Sequence, residues 1–206
     1  MNRYGGIDGA FYYRWNAVCG ESRTCGVDLN EILEGIVRDD EPELVFFYEE
    51  DFEDTDGDYT VSGYGARWEW GTPTVWPESA ASGDKCWGTD LNGNYSNGAD
   101  ETLTSPVIQL TGVEAGSDLV IEWMQALYIE SSSWDNAYVE LSLNGGSWMQ
   151  MWAHTGSTVQ VPWELKSYTI ESYNDEDIQL RFRITTDGSV TYSGLYIDDV
   201  TISESK

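Results

Sequence analysis

The sequence predicts an all-β chain, an antiparallel sandwich or barrel behind a short helical extension, on three observations. Glycine supplies 21 of the 206 residues and aromatic residues 14%, a mixture that favours short strands and tight turns over long helices. Turn-forming residues recur at Asn92-Gly93, Asn144-Gly145-Gly146 and Asp187-Gly188, between runs rich in β-branched and aromatic residues, which is the spacing of antiparallel strands. Two runs alternate with period two. Val139, Leu141 and Leu143 fall opposite Tyr138, Glu140 and Ser142, and Ile178, Leu180, Phe182 and Ile184 fall opposite Gln179, Arg181, Arg183 and Thr185, so one face of each is buried.

Residues 1–43 read differently from residues 44–206, and the boundary between extension and sandwich is placed there. Leu29, Ile32, Leu33 and Ile36 recur at helical spacing, Asp28 can cap the start, and Gly35 or the acidic run before Pro42 can end the helix. Strands are then expected at 44–48, 67–70, 86–88, 107–110, 119–129, 137–143, 148–153, 167–170, 178–185 and 194–202. The chain shows no internal repeat and no low-complexity tract.

Charge narrows the partners. Asp and Glu number 37 against 10 Lys and Arg, for a formal net charge of -27, so nucleic acid and anionic membranes are repelled. Two explanations of the acidity stay open, cation binding at a few places or a solvated acidic surface suited to salty surroundings. No run approaches the ~18 apolar residues of a membrane span, and the first residues lack the apolar stretch of a signal peptide. A soluble protein without membrane insertion is expected, and a domain cut from a longer exported precursor would look the same. Three cysteines are few for a disulfide framework. Cys19 and Cys25 bracket a five-residue loop and are compatible either with a bridge or with free thiols, while Cys86 is expected unpaired. With one histidine, His154, these thiols are poor material for a zinc site.

Six blocks resemble a known family in their order along the chain. They are Asp51 to Thr60, Arg67 to Pro73, Cys86 to Tyr95, Glu101 to Leu110, Tyr138 to Trp148, and Gly194-Leu-Tyr-Ile-Asp-Asp-Val-Thr-Ile. Together they resemble MAM-type jelly rolls over about Phe52 to Ser203, most of all the bacterial versions appended to secreted immune inhibitor A-type metallopeptidases. The resemblance implies a two-sheet antiparallel jelly-roll sandwich that serves as an accessory or adhesive module of an exported, extracellular or cell-surface protein, often with structural calcium. The paired cysteines of animal MAM domains are missing, and residues 1–43 match no family pattern.

Asp54, Asp56 and Asp58 do not make an EF-hand, because Tyr59 and Gly65 stand where that loop needs Gly and Glu. A jelly-roll calcium site suits the acids better. Asp198 and Asp199 are adjacent in an expected strand, so one of them is expected at the inner side or edge of the sheet, where a carboxylate is costly unless neutralised. Glu53 is the natural second ligand if the first and last strands pair, with Asp56, Asp84, Asp51 and Asp54 available to complete the shell. Solvation, or hydrogen bonding to backbone amides, is the competing role for these acids.

Ten tryptophans raise the question of sugar stacking. Trp68, Trp70, Trp87, Trp123 and Trp148 are expected in packing. Trp76, Tyr95, Trp134, Trp152 and Trp163 fall in or beside expected loops and are the candidate ligand-contacting rings. Catalysis fits worst, since the chain carries no G-x-S-x-G, no phosphate loop and no H-E-x-x-H. The expected role is therefore non-catalytic attachment to a glycan or an extracellular protein. The alternative is a self-assembling subunit of a surface layer, filament or capsid whose residues 1–43 contact a neighbouring copy.

Overall fold

A computed structural model describes residues 45–65, 67–113, 116–171 and 177–205. The helix expected from Asp28 and the Cys19 and Cys25 pair lie outside the described residues. Within them the strands in chain order are β1 (Val45–Glu50), β2 (Thr60–Tyr64), β3 (Glu69–Gly71), β4 (Cys86–Gly88), β5 (Asp100–Thr104), β6 (Ile108–Gln109), β7 (Asp118–Ile129), β8 (Asn136–Leu143), β9 (Met149–Ala153), β10 (Val159–Ile170), β11 (Asp177–Thr185) and β12 (Gly194–Ser205). They form two antiparallel sheets, β10-β7-β12-β4-β3 with β1 also on β12, and β2-β5-β11-β8-β9 with β6 also on β11. The fold is the all-β, two-sheet jelly-roll sandwich expected.

Alternation builds the core. Leu119, Ile121 and Trp123 of β7 and Leu195, Ile197, Val200 and Ile202 of β12 point inward from the first sheet, and Ala137, Val139 and Leu141 of β8 and Ile178, Leu180, Phe182 and Ile184 of β11 from the second. Trp123 and Phe182 meet edge to face across the sandwich with centroids 6.3 Å apart. Each Val, Leu, Ile or Phe among them contributes about 1.5–3 kcal/mol of burial. The β8–β9 hairpin turns at Asn144 and Gly145, both at positive φ, as a two-residue primed turn requires.

Three stretches of sheet escaped the sequence reading, for identifiable reasons. All five residues of β2 are exposed, so no burial period marks it. β5 turns Glu101 as well as Leu103 inward, and an acid in a core-facing position hides the alternation. The first part of β10 contains Pro162, which reads as a break, but β10 lies at the edge of its sheet and its register shifts between Val161 and Glu164, where a missing N–H is tolerated.

Candidate functional site

The first and last described strands pair, with Val45 opposite Glu204 and Glu50 opposite Val200, which brings Glu53 to the region of Asp198 and Asp199. Both acids were expected to obey unbroken strand alternation, and here the structure corrects that expectation. Asp199 adopts φ 45° at a register shift between Asp198 and Thr201. The extra residue of such a bulge returns Val200 and Ile202 to the core, and neither acid has to face it. Asp198, fully buried, accepts hydrogen bonds at Oδ2 from the N–H groups of Ala81 (2.8 Å) and Ser82 (3.3 Å), and Asp199 Oδ1 accepts from the Ser82 hydroxyl (2.8 Å). Glu53 Oε1 accepts from the N–H groups of Asp84 and Lys85 at 2.9 and 2.8 Å. A Cβ on Gly83 would collide with that carboxylate, and Gly83 sits at φ +52°.

Glu53, Asp198 and Asp199 thus converge on the segment 81–85, each already holding backbone or hydroxyl donors. Burial, reinforced by the charge of Asp199, pushes the Asp198 carboxyl up to about 7, against the pull of the three N–H groups it accepts from. Asp56 instead closes a local turn, accepting from the N–H of Asp58, while its carbonyl accepts from the Trp87 indole. Asp84 contributes its N–H, and its side chain is exposed.

A second acidic group lies elsewhere, among the loops after β7, before β8 and after β11. Glu130, Asp135 and Asp187 place carboxylate oxygens within 4.8 Å of one another and could hold a metal ion. Asp135 is fully buried, accepting from the Tyr95 hydroxyl at 2.6 Å and from the Asp187 N–H at 2.8 Å. Glu130 Oε2 has no hydrogen-bond partner. Burial first, then the neighbouring acids, raises the carboxyls of Glu130 and Asp135 above their ordinary range, although for Asp135 the Tyr95 hydroxyl and the Asp187 N–H oppose the rise. His154 lies 3.1 Å by Nε2 from the Glu130 carbonyl, and burial lowers its pKa, which favours a neutral ring donating that N–H. No sequence motif joins these acids. Asp135 and Asp187 are 52 positions apart, and only the folding of β8 to β11 between them brings them together.

The five candidate rings are scattered. Tyr95, expected at an exposed loop, is a correction: it is 2% exposed because its hydroxyl serves Asp135 inside the fold. Trp76 and Trp163 are half-buried over the outer face of the first sheet, against Ala80, Cys86, Leu91, Ala126 and Tyr196. Trp76 meets Tyr128 and Tyr196 edge to face, and the Trp163 indole donates to the Ser79 carbonyl. Trp152 lies half-buried beneath Lys166. Trp134, 59% exposed, stands in the turn beside Asp135 and is the one ring of the five that presents itself openly to solvent. Trp68, Trp87 and Trp123 are in the core as expected.

No family model matches the chain. A segment of Bacillopeptidase F of Bacillus subtilis (strain 168) is 33% identical over 171 residues, which is 79% of this chain and 11% of that protein. The chain therefore spans about a tenth of the length of the relative it matches. Among solved structures, the C-terminal family 22 carbohydrate binding module of Clostridium thermocellum Xyn10B matches with TM-score 0.49 and 15% identity over 78% of this chain and 93% of that one. The K3 adhesin domain of Lys-gingipain from Porphyromonas gingivalis matches with TM-score 0.48 and 17% identity over 78% and 98%.

Proposed function

We propose that the sandwich, from about residue 44 onward, is a MAM-like, non-catalytic binding module of an exported protein that attaches to glycan or protein surfaces outside the cell. The observation that carries the reading is the relation to Bacillopeptidase F, in which most of this chain corresponds to a small part of a far longer protein named as a peptidase. A sandwich-sized unit that forms a small part of so long a protein has the character of an accessory domain. His154 spends its Nε2 on a backbone carbonyl, and the Cys86 thiol is buried, and burial holds it protonated.

Calcium is among the hard cations that all-oxygen donors suit. Two groups of acids offer themselves, Glu130 with Asp135 and Asp187, and Glu53 with Asp198, Asp199, Asp56 and Asp84. The first is favoured, because its carboxylate oxygens already lie within 4.8 Å of one another and Glu130 Oε2 is left without a hydrogen-bond partner. Of the candidate rings Trp134 is the most open to solvent, with Trp76, Trp152 and Trp163 partly packed.

Two measurements test the reading. A glycan array and immobilised extracellular proteins, probed with and without calcium, are expected to show saturable retention on at least one ligand. Retention on none, or turnover of peptide or glycoside substrates by the purified chain, overturns it. Calcium is expected to raise the melting temperature, with the rise lost in Asp187→Asn. A rise that survives Asp187→Asn but vanishes in Asp199→Asn moves the ion to the second group.

A further inference from the structure

The outer face of the second sheet carries mainly polar and aromatic side chains. Strand register lays its outward side chains in cross-strand rows. Gln150, Glu140, Arg181, Thr104 and Thr60 form one row, and Ala153, Tyr138, Arg183, Thr102 and Ser62 the next. Ala153 is the one aliphatic side chain in the two rows, and every one of these residues keeps some exposure to solvent. Arg181 donates to Glu140 at 2.7 Å and lies over the Trp148 ring, 4.2 Å from its centroid. Arg183 reaches both oxygens of Asp100 at 2.8 Å and lies 5.8 Å from the Tyr138 ring centroid.

We infer that this face, between Trp148 and Ser62, is the ligand surface of the module, and that its ligand is an uncharged polysaccharide laid across the strands. The inference rests on the binding-module reading above and names the ligand class and the place. Three features select that occupant. On a chain of formal charge -27, each arginine here is matched by a carboxylate, so the strip is locally neutral, while a polyanion approaching it meets the field of the whole molecule. Protein partners bury a contiguous apolar centre, and these rows provide none. Hydroxyl-rich polymers need what the rows do contain, directional N–H, hydroxyl and amide groups beside flat rings. Arg181, tied to Glu140 and lying 4.2 Å from the Trp148 ring centroid, restrains that ring before a ligand arrives, which lowers the ordering cost of binding.

Native affinity electrophoresis of the whole chain in gels containing arabinoxylan, xyloglucan, β-1,4-galactan or dextran, with polygalacturonate as the anionic comparison, tests this. At least one neutral polymer is expected to retard the protein. Trp148→Ala and Thr102→Arg are each expected to weaken that retardation about tenfold, with Leu165→Ala, at an exposed position on the edge strand of the first sheet, unchanged. Thr102→Arg adds bulk at a solvent-facing position and leaves the core intact, so it answers for Trp148→Ala if that variant does not fold. Loss in Trp134→Ala with Trp148→Ala and Thr102→Arg unaffected overturns the placement and leaves the binding-module reading standing, now at the loop end. Preference for polygalacturonate overturns the uncharged ligand. No retardation by any polymer overturns the whole inference, while the array and calcium measurements decide the broader reading separately.

Discussion

The two sheets share one core but finish their outer faces in opposite ways. Over the first sheet, Trp76, Ala80 and Trp163 cover Ala126 and Tyr196 and form a second, smaller apolar cluster. Over the second, Arg181, Arg183, Thr102, Thr104 and their neighbours stay open to solvent. The covered face uses its aromatic rings for stability, and its hydrogen bonds are internal: the Tyr196 hydroxyl donates to the Asp90 carbonyl and the Trp163 indole to the Ser79 carbonyl. The open face holds its polar groups in salt bridges that solvent can reach. Rings that read alike in sequence therefore have different roles, depending on whether a segment of chain crosses over them.

Substitutions should separate the two faces by the size of their effect. Tyr196→Ala opens a cavity under the covering segment and frees the Asp90 carbonyl. A loss of about 3–5 kcal/mol in urea unfolding is expected, and a loss no larger than at Thr104 would break the contrast. Beneath the second sheet, burial raises the Glu101 carboxyl from 4.5 to about 7, opposed by the N–H and charge of Arg67 and by the N–H of Trp68. Its folded state holds the proton more tightly than the unfolded chain, so its contribution to stability is complete below pH 4.5 and is lost as pH rises through 7. Glu101→Gln is expected to flatten that slope and to gain ~1–3 kcal/mol at pH 8, read from unfolding curves across the range. An unchanged slope would show that Glu101 does not titrate there. Arg183→Gln should have the smallest effect, about 1 kcal/mol or less and fading with salt, because Asp100 is more than half exposed. The Arg183 guanidinium lowers the Asp100 carboxyl, so this small contribution is present at neutral pH and disappears as the carboxyl protonates on acidification.

Strand positions with an apolar period were legible from the residues. β8 and β11 alternate as Val139 and Leu141, and as Ile178 to Ile184, imply, and β7 and β12 follow. β2 and β5 were not, because one is exposed throughout and the other turns Glu101 inward beside Leu103. At the acidic loci, pairing of the first and last strands was the condition that would bring Glu53 towards Asp198 and Asp199; β1 does pair with β12, and these acids take donors from the same segment, 81–85. The bulge at Asp199 was not legible, since an Asp at positive φ leaves no mark in composition or period. Exposure of Trp134 was expected and holds, whereas Tyr95 was expected outside and lies within, because a hydroxyl with a buried carboxylate to serve carries its ring into the interior.

By itself the sequence determined the all-β class, the inward face of the regular strands and the acidity that repels polyanions, because each is set by local period, turn chemistry or summed charge. Tertiary structure alone decided that Glu130, Asp135 and Asp187 meet, that Trp76 and Trp163 cover one sheet, and that Arg181 and Arg183 line an open face on the other. The physical reason is that these groupings join residues tens of positions apart through strand register and loop crossings, and neither leaves a period in the chain.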